Sequence, residues 1–266
     1  MKLVTYETAG ESRTGVLTDD GVLDSGFATM SELLRAGPHA QPSGEPVQPD
    51  RLLPPVTDPG KIICIGLNYL SHAQEQGAEP PQTPTIFAKY RNALAAPGSA
   101  VQLPAYSSKV DYEAEVAFVV GKRAKDVSEA DALDYVAGYM LLNDLSARDM
   151  QFATPQWMPG KVFDGSAPSG PWLVTPDEAG AHDALEIRLT LNGDEMQNGS
   201  TADLVHSIPA LVAYLSKLMT LEPGDVVSTG TPAGVGSLRN PRVWLAPGDE
   251  VVVESPTLGR LVTTLA

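Results

Sequence analysis

Three features of the sequence predict a β-rich α+β fold: many short apolar runs of strand length, few helical periodicities, and abundant turn formers. Gly and Pro supply 24 and 23 of the 266 residues, which favours turns over long helices. In chain order, MKLVTYET (1–8) and TGVLTDDGVL (14–23) read as two strands with a turn at Asp20-Gly21. Thr29 and Glu32 fit a capping box for a short helix that stops near Gly37. The stretch HAQPSGEPVQPD (39–50) is rich in Pro and polar residues and has no periodicity. A boundary near residues 55–60 therefore separates a small N-terminal α/β module, 1–59, from a larger unit, 60–266.

The larger unit is mostly strands. KIICIG (61–66) is a continuous apolar run, as expected of a strand buried on both faces. TIFAK (85–89), DYEAEVAFVV (111–120), AGYMLLN (137–143), PWLV (171–174), LEIRLTL (185–191), DVVST (225–229) and EVVVES (250–255) follow. Asn192-Gly193 after LEIRLTL signals a two-residue hairpin. Ser128 caps a short helix through Tyr135. The clearest helix is SIPALVAYLSKLM (207–219), where Ile208, Leu211, Val212, Leu215, Leu218 and Met219 form one apolar stripe.

Composition removes several function classes. With 18 Lys+Arg against 33 Asp+Glu the formal charge is −15, which disfavours a nucleic-acid binder built on phosphate contacts. No stretch approaches the roughly 20 apolar residues of a membrane helix, and MKLVTYETAGESRTG lacks the apolar core of a signal peptide. A cytoplasmic protein is expected. The single cysteine, Cys64, lies in an apolar run and reads as a buried, inert thiol.

DYEAEVAFVV is the most informative segment. Side chains alternate along a strand, so Asp111, Glu113 and Glu115 share one face, opposite an apolar face of Tyr112, Ala114, Val116, Phe118 and Val120. Glu113 and Glu115 are then roughly 7 Å apart at Cα. Acids are poor strand formers. Either they face solvent at a sheet edge, or a divalent cation neutralises them. Asp144, at the end of AGYMLLN, could complete an all-oxygen site. Such a site suits Mg²⁺, Mn²⁺ or Ca²⁺ better than Zn²⁺. His72 and Glu75 lie at i, i+3 in SHAQEQG, where Ser71 and Gln74 fit a capping box. They are either a solvated surface pair or a carboxylate-oriented imidazole. His39 and His182 read as solvated loop histidines, and His206 as structural.

Five motifs in order resemble the fumarylacetoacetate hydrolase family: GLNYLSHAQE (66–75), DYEAE (111–115), NDLSARDMQ (143–151), GKVFDGSAPSGPW (160–172) and STGTPAGVG (228–236). The resemblance spans roughly residues 60 to 265 and implies a mixed β-sandwich roll, a homodimer, and one Mg²⁺ or Mn²⁺. It implies Glu113, Glu115 and Asp144 as metal ligands. It implies a small anionic 2-oxo or 1,3-diketo acid as substrate, and no nucleic-acid or membrane partner.

The expected reaction is hydrolysis of a C–C bond in an acylpyruvate. His72 and Glu75 would activate water, with Lys161 near the substrate oxygens. Arg148, Gln151, Gly230 and Thr231 would bind substrate. Oxaloacetate decarboxylation and keto–enol isomerisation use the same residues and stay open, as does a weakly active metal-binding dimeric module. Asp149 reads as structural. Segment 67–84 could order over substrate as a lid. In the Gly-rich turn, Gly230, Gly234 and Gly236 would let backbone N–H groups approach an anion. Two departures stand out. Gly165 replaces the Thr that many members place four residues after the motif lysine. The segment FAKYRNAL (87–94) lacks the usual Pro-Ser content; it is expected to line the site entrance or the dimer contact and is assigned no role.

Overall fold

A computed structural model describes residues 1–37, 42 and 44–266. His39 lies outside the described residues. The fold is β-rich with few helices, as the sequence predicts. Its main sheet runs in the order Gly21–Asp24, Glu11–Thr18, Lys2–Thr8, Ala167–Val174, Val136–Asn143, Ala114–Val120, Val226–Ser228, Ile62–Gly66 and Thr85–Lys89. A second sheet of five strands contains the hairpin Glu186–Leu191/Asp194–Ser200 and the pair Glu250–Ser255/Gly259–Leu265. Asn192 and Gly193 both have positive φ, as the hairpin turn requires. The first strand pairs with Ala167–Val174 through Lys2↔Val174 and Leu3↔Leu173, so the N-terminal strands extend the main sheet.

Ala114–Val120 is central and buried along its whole length. Ala114, Val116, Phe118 and Val120 pack into the larger core with Leu189, Leu211 and Val251 from the second sheet and the long helix. Ala117 and Val119 face the other core, with Cys64, Met140, Leu142 and Val226. Glu113 and Glu115 lie on that same alternation, so both carboxylates sit at the end of a buried face. Glu113 is 5 % and Glu115 2 % exposed, which removes the solvent-edge alternative.

Several local expectations hold. Thr29 and Glu32 form the capping box of helix Met30–Ala36, which ends at Gly37. The long helix forms over Ile208–Leu218. Others need correction. The acidic segment is not one strand: Val110–Asp111 pairs with Ser146–Ala147, and regular pairing resumes at Ala114. Leu218 is exposed, because the stripe leaves the core at the last turn. Residues Glu129–Tyr135 wind as a 3₁₀ helix, with Ser128 capping as expected. Helix Leu70–Glu75 has Tyr69 at its N-cap and no side-chain cap, so Ser71 does not serve that role.

Candidate active site

Strand register builds the carboxylate cluster. Ala114 stands opposite Asn143, so Asp144 follows directly beside Glu113. The Asp144 amide donates to the Glu113 carbonyl at 2.8 Å, and the Glu113 amide to Asn143 Oδ1 at 3.1 Å. Glu115, Glu113 and Asp144 are buried, with one carboxylate oxygen of each within 4.8 Å of the others.

Three buried cations surround them. Lys161 Nζ lies 2.6 Å from Glu113 Oε2 and 2.9 Å from Asp144 Oδ2. It reaches there because Gly160 packs against the Ala147 carbonyl and the Gln151 amide, where an added Cβ would fall at 2.4 and 2.5 Å. Arg148 Nη1 lies 2.8 Å from Glu113 Oε1, and its Nε and Nη2 clasp Asp111 Oδ2 at 2.9 and 2.8 Å. Lys89 Nζ lies 2.8 Å from Asp144 Oδ1 and donates to the carbonyls of Lys161, Leu145 (3.3 Å) and Ser166 (2.8 Å).

The charge count leaves one carboxylate over. Asp111, Glu113, Glu115 and Asp144 face Lys89, Arg148 and Lys161, and all seven are buried. Burial raises the Glu113 carboxyl, but Arg148 and Lys161 outweigh it and bring it down to about 2. Burial likewise disfavours the Lys161 ammonium, yet Asp144 and Glu113 hold it above its ordinary value. Glu115 touches only neutral donors, the Ser228 hydroxyl and the Gly230 amide at 3.1 Å. Burial first, then the charges of Asp144 and Glu113, push it up to about 8. Three converging hard oxygens fit a divalent cation that prefers oxygen ligands, and such an ion would compensate the fourth carboxylate once Glu115 gives up its proton. The residues present therefore suit the group that the resemblance implies.

His72 is buried beside this cluster. Its Nδ1 lies 3.2 Å from Glu75 Oε2, and its Nε2 lies 2.9 Å from the Gln76 side-chain nitrogen. Both contacts are hydrogen bonds only when Nδ1–H donates to the carboxylate and Nε2 accepts from the amide. The imidazole is then neutral, with its lone pair on Nε2. His72, Gln76, Glu113, Glu115, Arg148 and Lys161 wall a cavity of about 50 Å³ with Phe87 and Trp157.

The structure brings His72, Glu113, Glu115, Arg148, Gln151, Lys161 and Thr231 around this cavity. Two expectations change in detail. Asp111 stands apart from the other acids as the counter-ion of Arg148, because the strand breaks after it. The glycine N–H groups do meet anions, but these are the protein's own: Gly230 donates to Glu115, Gly234 to Glu75 at 3.0 Å, and Gly236 to Asp111 at 2.8 Å. Thr231 Oγ1 accepts from Gln197 at 2.8 Å, and Arg148 Nη1 donates to Gln151 at 2.9 Å. Asp149 accepts from Ser107 at 2.6 Å, a structural contact. His206 Nε2 lies 2.9 Å from the Pro81 carbonyl, also structural.

Sequence reasoning gave no role to Lys89, Gln76, Gln197 or Ser228. Lys89 carried a signal: a lysine closing the apolar strand TIFAK has to find an anion or carbonyl oxygens. FAKYRNAL is thus part of the site wall, with the Phe87 ring 4.9 Å from Lys161 Nζ.

Residues 61–266 match the family model of the fumarylacetoacetate hydrolase C-terminal domain. The chain belongs to the fumarylacetoacetate hydrolase family. Among its curated relatives is the mitochondrial oxaloacetate tautomerase of Xenopus laevis, 47 % identical over 212 residues; the match takes in 79 % of this chain and 66 % of that protein. Among solved structures, fumarylacetoacetate hydrolase from Exiguobacterium antarcticum superposes with a TM-score of 0.91 at 31 % identity, covering 100 % of this chain and 99 % of that one. Maleylpyruvate hydrolase from Sphingobium superposes at 0.82 and 30 % identity with the same coverage. These family members are named as enzymes of the tautomerase and hydrolase types. No helix among the described residues is long and apolar enough to cross a membrane.

Proposed function

We propose that this protein is a divalent-metal-dependent enzyme that hydrolyses the C–C bond of an acylpyruvate. The observation that carries the reading is the pairing of the three-carboxylate cluster with the His72–Glu75 dyad across one small cavity. Glu113, Glu115 and Asp144 would hold the cation, which when bound acts as a Lewis acid toward the oxygens of a 2-oxo acid. Lys161 keeps a second positive charge beside those oxygens.

His72 supplies the base. Once the Gln76 amide, which donates to Nε2 in this structure, gives way to water, Nε2 takes a proton from that water while Glu75 accepts the Nδ1–H bond and stabilises the imidazolium. The water oxygen adds to the distal carbonyl. The C–C bond then breaks, its electron pair stays with the pyruvate fragment, and that carbon is protonated. The products are a carboxylic acid and pyruvate. Burial of His72 and the aromatic wall of Phe87 and Trp157 limit bulk water at this step.

A second reading is keto–enol tautomerisation of oxaloacetate, in which His72 moves a proton at the carbon next to the keto group. It is favoured by the relative named as an oxaloacetate tautomerase. Comparing kcat/KM for acylpyruvates and for oxaloacetate, with Mg²⁺ and with Mn²⁺, separates the two. Hydrolysis predicts the higher value for an acylpyruvate, and a loss of about 10²–10⁴-fold in His72→Ala. Turnover of oxaloacetate alone would overturn the hydrolytic reading. Unchanged activity in excess chelator would overturn both.

A further inference from the structure

Gln197 reaches the site from the second sheet. It lies on strand Asp194–Ser200 and is 2 % exposed, and the reaction proposed above gives it no role. Ladder pairing of Ala114–Val120 with Val226–Ser228 covers only Ala117↔Ser228 to Val119↔Val226. The buried Ala114 amide lies beyond that ladder and needs another acceptor. Gln197 Oε1 accepts from it at 2.8 Å. Ala114 stands between Glu113 and Glu115, so this carboxamide is tied to the segment that carries two of the three clustered acids.

That contact fixes which way the carboxamide faces. Only its oxygen can accept from a backbone N–H, so Nε2 takes the other side. Nε2 has two hydrogens, and both are used: it donates to Thr231 Oγ1 and to the Pro232 carbonyl, each at 2.8 Å. The reverse orientation would set an NH₂ group against the Ala114 N–H and an oxygen against the Pro232 carbonyl oxygen. These contacts are buried, so that orientation would leave polar groups unsatisfied without water to replace them.

Thr231 takes a polarity from this arrangement. Its Oγ1 accepts from Gln197, so its own proton points away from Gln197. Among the described residues, no acceptor takes that proton. Thr231 is 4 % exposed and lines the small cavity with His72, Glu113, Glu115 and Lys161. Gln197 is not among the residues that wall the cavity, so any effect it has on a ligand there passes through Thr231.

We propose that Gln197 is a positioning residue: by donating to Thr231 Oγ1 it holds that hydroxyl as a hydrogen-bond donor to the 2-oxo acid. This rests on the reading of the small cavity as the place where the 2-oxo acid binds. Carboxylate and keto oxygens only accept. A hydroxyl already held in the donor role meets them without breaking another bond or ordering a free rotor, and a hydrogen bond to a charged oxygen is among the stronger ones.

Calorimetric titration of the full-length protein with pyruvate, at Mg²⁺ saturating for each variant, tests this without turnover. Thr231→Val is expected to weaken pyruvate binding about tenfold, and Thr231→Ser to keep it within about twofold. Gln197→Met keeps the side-chain length and removes the amide. It is expected to cost about fivefold or more with Thr231 present, and less than about twofold in Thr231→Val. A packing role alone would cost the same in both backgrounds. Thermal midpoints check that each variant is folded. Should Gln197→Met not fold, Gln197→Glu replaces it in the same cycle, because it keeps the acceptor for Ala114 and puts an oxygen against Thr231. Equal losses in the two backgrounds, or unchanged affinity in Thr231→Val, would overturn the proposal. Absence of pyruvate binding to the unmodified protein would overturn it too, together with the reading of the cavity. Coupling between the two positions without acylpyruvate turnover would strike the proposed reaction and leave Gln197 in its role.

Discussion

At the scale of single residues, the site is a problem in burying charge. Glu115 and Glu113 are two positions apart, yet their carboxyls move in opposite directions. Glu113 touches Lys161 and Arg148, whereas Glu115 touches a hydroxyl and an amide. A carboxyl whose folded value is raised stabilises the fold fully below its unfolded value near 4.5. That contribution is lost as pH rises through the folded value of about 8. In the metal-free protein, Glu115→Gln is therefore expected to raise the thermal midpoint over the unsubstituted protein by roughly 5 °C or more at pH 9. At pH 5 the gain should be much smaller. Melting curves at the two pH values in excess chelator decide it, and an equal gain at both would contradict the assignment.

Elements fix how those residues meet. The pairing of Ala114–Val120 with Val136–Asn143 brings Glu113 to Asp144, and its pairing with Val226–Ser228 brings Ser228 to Glu115. The turn that follows Val226–Ser228 then threads its glycine amides past three carboxylates. Gly236 has no spare room: an added Cβ would fall 2.2 Å from the Val243 carbonyl and 2.8 Å from Asp111 Oδ1. Backbone cannot yield as a flexible side chain can, so Gly236→Ala is expected to cost about 2–4 kcal/mol of stability. Urea denaturation measures this, and a loss within error of zero would show that the turn can shift. The same substitution loosens the Asp111 clasp on Arg148, so kcat should fall along with stability.

Across the whole molecule, the formal charge of −15 says little about which ligand binds, because buried cations dominate the field inside the site. The three buried carboxylates could hold a cation. A ligand that binds only the native state stabilises it by mass action, about 2.7 kcal/mol at a hundredfold excess over Kd. For a chain of this size, that amounts to roughly 5–10 °C in thermal midpoint. Addition of Mn²⁺ or Mg²⁺ to chelator-treated protein is expected to give such a rise, and Asp144→Asn to abolish it. A rise of the same size in Asp144→Asn would mean that the ion binds elsewhere.

The sequence by itself determined the β-rich class, most strand positions, the helix caps at Thr29 and Ser128, and the residue types of the site. Those signals are local: alternation, 3.6-residue spacing, turn dipeptides and short motifs need only neighbours along the chain. It also carried the family, because five motifs kept their order. Only the tertiary structure decided which acids converge. A strand break after Asp111 sends that carboxylate to Arg148 rather than to the cluster, and nothing in DYEAEV marks the break. Lys89, Gln197 and Ser228 joined the site through partners 55 or more positions away. The glycine amides, expected to greet a substrate anion, hold the protein's own carboxylates instead. Such pairings depend on register between distant strands and on the need of every buried charge for a counter-charge or a donor. Both are settled by packing in three dimensions rather than by spacing along the chain.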